Sequence, residues 1–170
     1  MDETIDRARR GDRSALGELV TEHYPRVYRF CARRLGDDLA QDAAQETFLT
    51  VQRTIKRFEA RSTFETWVLG IAHNHCRNLS RKKMRDPMSL DDTFEKPTAG
   101  HDTQVVQNEE LRCALDKLSP EHREVVLLHE VEGLTYAEVA QIAGVPEGTV
   151  KSRLYHAFRN LRELMTEVPA

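Results

Sequence analysis

Between Thr135 and Leu161 the chain reads TYAEVAQIAGVPEGTVKSRLYHAFRNL, two helical patterns joined by a glycine turn. Thr135 with Glu138 three residues on has the form of a capping box, in which hydroxyl and carboxylate satisfy the backbone donors left over at a helix start. Gly144 stands where such a turn needs a left-handed backbone, and Pro146 opens the second helix, where its missing N–H costs nothing. Ala140 allows the two helices to approach closely, and Val150 plugs the second back into the first. These signals define a helix-turn-helix unit, the arrangement that lays a helix in the major groove of DNA.

The second helix divides into two faces. Val150, Leu154, Ala157, Phe158 and Leu161 recur at the spacing of a buried stripe. Thr149, Lys151, Ser152, Arg153, His156 and Arg159 are left to the other face. Arg and Lys pair with phosphates and guanine edges, and Thr and Ser donate or accept at either, so this face suits a groove reader.

The formal net charge of −3 over 170 residues looks wrong for a DNA-binding protein until it is divided along the chain. Residues 1–85 hold 17 Lys and Arg against 12 Asp and Glu, hence +5; residues 86–108 hold one against five, hence −4. Residues 109–170 hold seven against 11, again −4. Duplex affinity comes largely from counterion release by clustered basic groups, so local basic faces on an acidic whole bind naked DNA weakly. A partner is expected to hold the protein on its DNA.

Helical periodicity runs from Ala15 to Leu35, with Leu16, Leu19, Val20, Tyr24, Val27, Tyr28 and Cys31 on one face and Gly36 as the stop. A second helix is expected over Leu39–Phe58, burying Ala43, Ala44, Phe48, Val51 and Ile55 and showing Asp42, Gln45, Glu46 and Gln52. A third starts at Ser62, read with Glu65 as a capping box, carries Phe64, Trp67, Val68, Ile71, Ala72 and Leu79, and ends in the basic run Arg81, Lys82, Lys83, Arg85. With Arg61, His73, Asn74, Arg77 and Asn78 this helix combines positive charge, amides and aromatics, a set suited to phosphates and unstacked bases.

Over residues 86–108 the periodicity stops amid Pro, Gly and Asp, which reads as a flexible acidic linker. It resumes with Val105, Leu111, Ala114, Leu115 and Leu118, after which Ser119 caps a helix with Pro120 at its first position. No strand is expected. The fold class is all-α: a helical domain over residues 1–85, a linker over 86–108 and a small helix-turn-helix domain over 109–170.

The remaining composition closes off other classes. No apolar run is long enough to span a bilayer, so a cytoplasmic protein without membrane insertion is expected. Cys31, Cys76 and Cys113 form no CxxC pair and are expected reduced. His73, His75 and Cys76 share one helix, but i and i+2 diverge, so a metal sensor is the weaker reading; two polar histidines beside a small buried thiol is the ordinary one. No glycine loop for phosphate, no metal-spaced carboxylates and no nucleophile elbow are present, so neither enzymatic activity, nor a catalytic residue, nor a cofactor is expected. A conventional regulator sharing only the helix-turn-helix remains the main rival.

Against that rival stand several further motifs: Asp42-Ala43-Ala44-Gln45-Glu46-Thr47-Phe48, Ser62-Thr63-Phe64-Glu65-Thr66-Trp67, Ile71-Ala72-His73-Asn74 and Leu118-Ser119-Pro120-Glu121-His122-Arg123-Glu124-Val125. With Gly133 to Ala140 and Val145 to Arg153 they cover almost the whole chain, which resembles a bacterial RNA polymerase sigma factor of the extracytoplasmic-function (ECF) group of the sigma-70 family. The resemblance implies a dissociable subunit of core RNA polymerase. Its first domain would dock on the clamp helices of the largest subunit and melt the minus-ten promoter element, and its second would read the minus-thirty-five element beside the flap of the second-largest subunit. Carried over by motif, Asp42, Gln45 and Glu46 form the docking face. Arg61, Ser62, Trp67, Asn74, Arg77, Asn78 and Arg81 form the minus-ten surface, and Thr149, Lys151, Ser152, Arg153, His156 and Arg159 read minus-thirty-five. The acidic linker would thread the RNA exit path, and an anti-sigma factor would cover the docking and DNA surfaces. Gln41 and Asn78 depart from the family, which often carries acids at both places.

Overall fold

The computed structural model describes residues 2–85 and 109–166, and the linker predicted over 86–108 lies outside them. The chain divides into two compact units, split between His101 and Asp102. Among the described residues no strand occurs.

In the N-terminal unit, α1 (Glu3–Arg9) precedes α2 (Arg13–Leu35), α3 (Asp37–Thr54) and α4 (Phe64–Arg85). The sequence pattern gave no sign of α1, whose seven residues are too few for a clear period. Its start is chemical: Asp2 accepts from the Thr4 N–H at 3.0 Å. Asp12 then joins α1 to α2, accepting from the Ser14 and Ala15 N–H groups at 2.9 and 3.2 Å and pairing with Arg7 at 2.8 Å. The Ala15 N–H, with help from Arg7, holds the Asp12 carboxyl below its ordinary value. Gly36, at φ +81°, ends α2 and lets α3 start at once with Asp37 and Asp38 in its first turn, where carboxylates suit the helix dipole.

The core of this unit is where α2, α3 and α4 pack on one another. α3 contributes Ala40, Ala43, Ala44, Phe48 and Val51; α2 contributes Leu19, Val27, Phe30 and Cys31; α4 contributes Phe64, Val68, Leu69, Ala72 and Cys76. The three alanines keep the buried stripe of α3 thin, which permits close helix approach. Three expectations need correction. The second helix starts at Asp37 and stops at Thr54, passing into a tighter 3-10 turn, Ile55–Arg57, before the extended Phe58. The Ser62–Glu65 capping box does not form: Thr63 Oγ1 accepts the Thr66 N–H at 3.1 Å, Ser62 Oγ donates to the Thr63 carbonyl at 3.2 Å, and Glu65 pairs with Arg26 of α2. His73 is not a surface polar group but lies 2% exposed in the core.

In the C-terminal unit, α5 (Glu109–Lys117), α6 (Pro120–Val126), α7 (Tyr136–Ala143) and α8 (Glu147–Thr166) follow in order, with α8 packed on the other three. Ser119 caps α6, its Oγ accepting the His122 N–H at 3.3 Å, with Pro120 in the first turn. After Val126 the helix widens into a π turn, Leu127–Val131, which keeps Leu127 and Leu128 buried. The capping box of α7 is present as expected: Glu138 N–H donates to Thr135 Oγ1 at 3.3 Å and Thr135 N–H to Glu138 Oε2 at 2.9 Å. Gly144 adopts φ +69°, ψ +34°, and its N–H closes on the Ala140 carbonyl at 2.9 Å. Val150, Leu154, Ala157 and Leu161 are buried, as are Val125, Leu128 and Val139. Phe158, expected in that stripe, is instead 42% exposed.

Candidate nucleic-acid and polymerase interfaces

The exposed side of α3 is a row set by the helix period. Asp42, Gln45 and Glu46 are all exposed, at spacings i, i+3 and i+4, opposite the buried Ala43, Ala44, Thr47 and Phe48. Leu49 continues the row at i+7 and stands 42% exposed. The hydropathy pattern had not singled it out. Its signal is that a leucine there falls off the buried period, and one apolar side chain inside an acidic and amide row suits a protein contact more than a nucleic-acid one.

On α4 the segregation has the opposite chemistry. Asn74, Arg77, Asn78 and Arg81 are exposed, and with Trp67 they recur at i, i+7, i+10, i+11 and i+14, one face of the helix. Val68, Ala72 and Cys76 are buried on the far side. Trp67 is half-buried because its ring lies 5.0 Å from Phe58 and 5.7 Å from Phe64, which anchor the indole while leaving part of it accessible. Arg61 and Ser62 stand just ahead of the helix. The loop that carries them turns at Ala60, whose left-handed φ of +55° costs roughly 1 kcal/mol for a residue with a Cβ. Arg61 meets Glu59 at 2.6 Å across that turn, its side chain 82% exposed. The turn and the aromatic cluster therefore hold a cation, a hydroxyl and an indole at one end of a basic, amide-bearing face.

On α8, Thr149, Ser152, Arg153, His156 and Arg159 fall together, at i, i+3, i+4, i+7 and i+10. Thr149 and Arg153 are half-buried and the other three exposed. Ser152 Oγ donates back to the Thr149 carbonyl at 3.1 Å, and Arg159 approaches Glu163 at 4.0 Å. Lys151 does not join this group. It lies roughly 160° around the helix from Thr149, with its ammonium 5.5 Å from the Tyr136 ring centroid. Tyr136 in turn lies 4.7 Å from the His129 ring, and His129 Nδ1–H donates to the Leu134 carbonyl at 2.7 Å. The π turn and the first helix of the motif thus position a lysine of the second.

Two further neighbours of this surface emerge only from the fold. The ring of His122, on α6, lies 6.3 Å from that of His156. Tyr155, 67% exposed, lies with Phe158 and Met165 on the same side of α8 as Lys151, a row of exposed apolar groups beside the groove-reading face.

His75 and Cys76 turn away from any shared ion. His75 Nε2 meets Thr50 Oγ1 of α3 at 2.9 Å, while Cys76 is buried in the core. Among the described residues no three His, Cys, Asp or Glu side chains gather as a metal group, and no helix is long and apolar enough to cross a membrane.

Comparison with known proteins gives these surfaces a context. Residues 19–86 match the family model for sigma-70 region 2, and residues 108–161 that for sigma-70 region 4. The chain is 34% identical over 168 residues to the RNA polymerase sigma factor CarQ of Myxococcus xanthus, covering 96% of this chain and 97% of that one. It is 30% identical over 167 residues to the ECF RNA polymerase sigma-E factor of Escherichia coli K12, covering 90% of this chain and 87% of the other. Among solved structures it is similar to the sigma factor RpoE of Bartonella quintana, crystallised with the anti-sigma factor NepR, at a TM-score of 0.75 and 27% identity over 90% of this chain and 98% of that one. With two region models on successive helical units and full-length relatives of this identity, the chain belongs to the ECF group of RNA polymerase sigma factors, which bind core polymerase and direct it to initiate at particular promoters.

Proposed function

We propose that the two units divide promoter recognition between them. The N-terminal unit docks on the clamp helices of the largest polymerase subunit through Asp42, Gln45 and Glu46, with Leu49 as the apolar contact of that row. It opens the minus-ten element with Arg61, Ser62, Trp67, Asn74, Arg77, Asn78 and Arg81. A base drawn from the duplex reanneals unless a pocket stacks it and its phosphates are held, and an anchored indole followed by amides and arginines on one helix face meets both needs. The C-terminal unit reads minus-thirty-five with Thr149, Ser152, Arg153, His156 and Arg159, while Lys151 serves the backbone from the Tyr136 side. The exposed Tyr155, Phe158 and Met165 offer a protein contact suited to the flap of the second-largest subunit.

The observation that carries this reading is the separation of two chemically unlike faces on one three-helix core, acidic and amide on α3, basic and amide on α4. The protein works in the cytoplasm and is controlled by an anti-sigma factor covering the α3 and α8 faces. The solved relative held by NepR supports such a partner by likeness.

Transcription from a promoter library by bacterial core polymerase, with and without the protein, tests it. New start sites preceded by shared minus-ten and minus-thirty-five elements are expected only with the protein. Core polymerase that gains no start sites, and binds no protein in pull-down, would overturn the docking and melting roles.

A further inference from the structure

The loop before α4 is strained, and the chain is tied down on both sides of it. Ala60 holds a left-handed φ of +55°, a conformation that persists only where the flanking structure fixes it. Upstream, Phe58 is buried and α1 packs on the 3-10 turn that precedes it. Downstream, α2 holds the first turn of α4. The Arg26 guanidinium donates to the Glu65 carboxylate from 39 positions away, and the His23 ring lies 5.1 Å from that of Phe64.

These two ties are matched in register. His23 and Arg26 stand one turn apart on α2, and Phe64 and Glu65 are neighbours on α4, so the turn is fixed at two points against both sliding and rotation. Phe64 supports the indole, its ring 5.7 Å from that of Trp67. Glu65 grips from behind: two residues before Trp67, it lies roughly 160° around the helix from it. The Thr63 cap satisfies an N–H of this turn, whereas the ties to α2 decide where the turn sits. Both side chains of the ion pair are partly exposed, 30% and 40%, and a pair so open to water adds little to stability. What it does supply is placement.

We propose that Arg26 and Glu65 are positioning residues for promoter opening: their ion pair, with His23 against Phe64, fixes the first turn of α4 so that Trp67 meets an extruded base at a set height and angle. The inference deepens the minus-ten role proposed above and rests on it. A base that reanneals quickly is caught only by a platform already in place, so freedom of the indole is paid for in capture rate. Neither Arg26 nor Glu65 touches the DNA; both act through Trp67.

Trp67 is the one tryptophan of the chain, so its fluorescence reports the platform directly. In the full-length protein without DNA, Arg26→Ala and Glu65→Ala should each raise acrylamide quenching of Trp67 and add a nanosecond component to its anisotropy decay. The double variant should do no more than either alone, as two partners of one contact require. The urea midpoint should stay close to that of the unaltered chain. Unchanged quenching and anisotropy would overturn the proposal. So would a midpoint lowered as far as by a core truncation such as Phe30→Ala, which would make the pair a prop for the whole unit.

With core polymerase bound, both single variants should open a duplex promoter several-fold more slowly while binding to the polymerase is unchanged. Glu65→Ala separates position from charge. If Arg26 gripped a phosphate, or Glu65 merely repelled one, loss of the carboxylate would speed opening, and that result would overturn the positioning role. Trp67→Ala in the same assay tests the underlying reading. Normal opening there would remove the indole from the minus-ten site, whatever the quenching shows. Slow opening with Trp67→Ala but not with Arg26→Ala or Glu65→Ala would leave that site standing and overturn the positioning alone.

Discussion

The two units hold a DNA-facing helix by different means. The N-terminal unit does it by bulk: helices of 23, 18 and 22 residues enclose a continuous core, and α4 is fixed along its length by Val68, Leu69, Ala72 and Cys76. The C-terminal unit does it by local geometry. Its supporting helices have nine, seven and eight residues, and α8 is aimed by a capping box, a left-handed glycine and a π turn. A small unit buries a smaller share of its surface, so its margin against a single insult is thinner. The lesson is that a recognition helix can be positioned by a large core or by a few well-set turns, and the two solutions should fail differently.

The largest effect should come from Val150→Asp. Val150 is 0% exposed on the packed side of α8, and a carboxylate buried there without a partner costs several kcal/mol, comparable with the whole stability of a small domain. Hydrogen exchange should show protection lost across α5 to α8 and kept in α2 to α4. Loss in both units at once would break the comparison, because it would mean they fold as one. Phe30→Ala is the counterpart: a fully buried ring is lost, about 3–5 kcal/mol, yet the larger unit should remain folded with a lower urea midpoint. If Phe30→Ala unfolds the N-terminal unit outright, its bulk is not the safeguard supposed.

These contrasts also explain what the sequence could and could not reveal. Thr135, Glu138 and Gly144 were legible because each signal is local: a hydroxyl three residues before a carboxylate, and a glycine where φ must be positive. The alternation of Ala43, Ala44, Thr47 and Phe48 with Asp42, Gln45 and Glu46 was legible for the same reason, as one helix period states both faces. Phe158 was misread because spacing places a side chain on a helix without saying how far the neighbouring helices reach around it. The positions of Lys151 over Tyr136 and of His122 beside His156 depend on contacts between elements, which no window of one helix contains. His73 was misjudged by residue type, since imidazole is amphipathic and its burial is decided by the helix it faces.

A middle-sized effect separates the two surfaces by readout. Arg153→Ala should weaken minus-thirty-five recognition by about 1–3 kcal/mol, roughly five- to 150-fold in promoter affinity, with binding to core polymerase unchanged. Asp42→Ala should do the reverse, reducing polymerase binding while leaving the affinity of the C-terminal unit for duplex unaltered. Competition binding to core polymerase and gel-shift on the mapped promoter distinguish them. Identical phenotypes would mean that the α3 and α8 faces do not act separately.

The smallest effect is the sharpest on local geometry. Three consecutive residues, Arg61, Ser62 and Thr63, lead into α4, and two carry hydroxyls, so the chain alone offers two candidate caps. The structure places the work on Thr63, whose Oγ1 accepts the Thr66 N–H at 3.1 Å and lies 2.8 Å from Thr66 Oγ1, while Ser62 Oγ only donates to the Thr63 carbonyl. Thr63→Ala should therefore cost about 1 kcal/mol of N-terminal unit stability, and Ser62→Ala close to none, by urea denaturation followed through Trp67 fluorescence. Promoter opening should show the converse order: Ser62→Ala removes a hydroxyl from the proposed minus-ten loop, whereas Thr63→Ala frays the start of α4 without touching a contact. If Ser62→Ala proves the more destabilising, the cap belongs to Ser62 after all, and the N-terminal unit would then lean on a local box just as the C-terminal one does at Thr135.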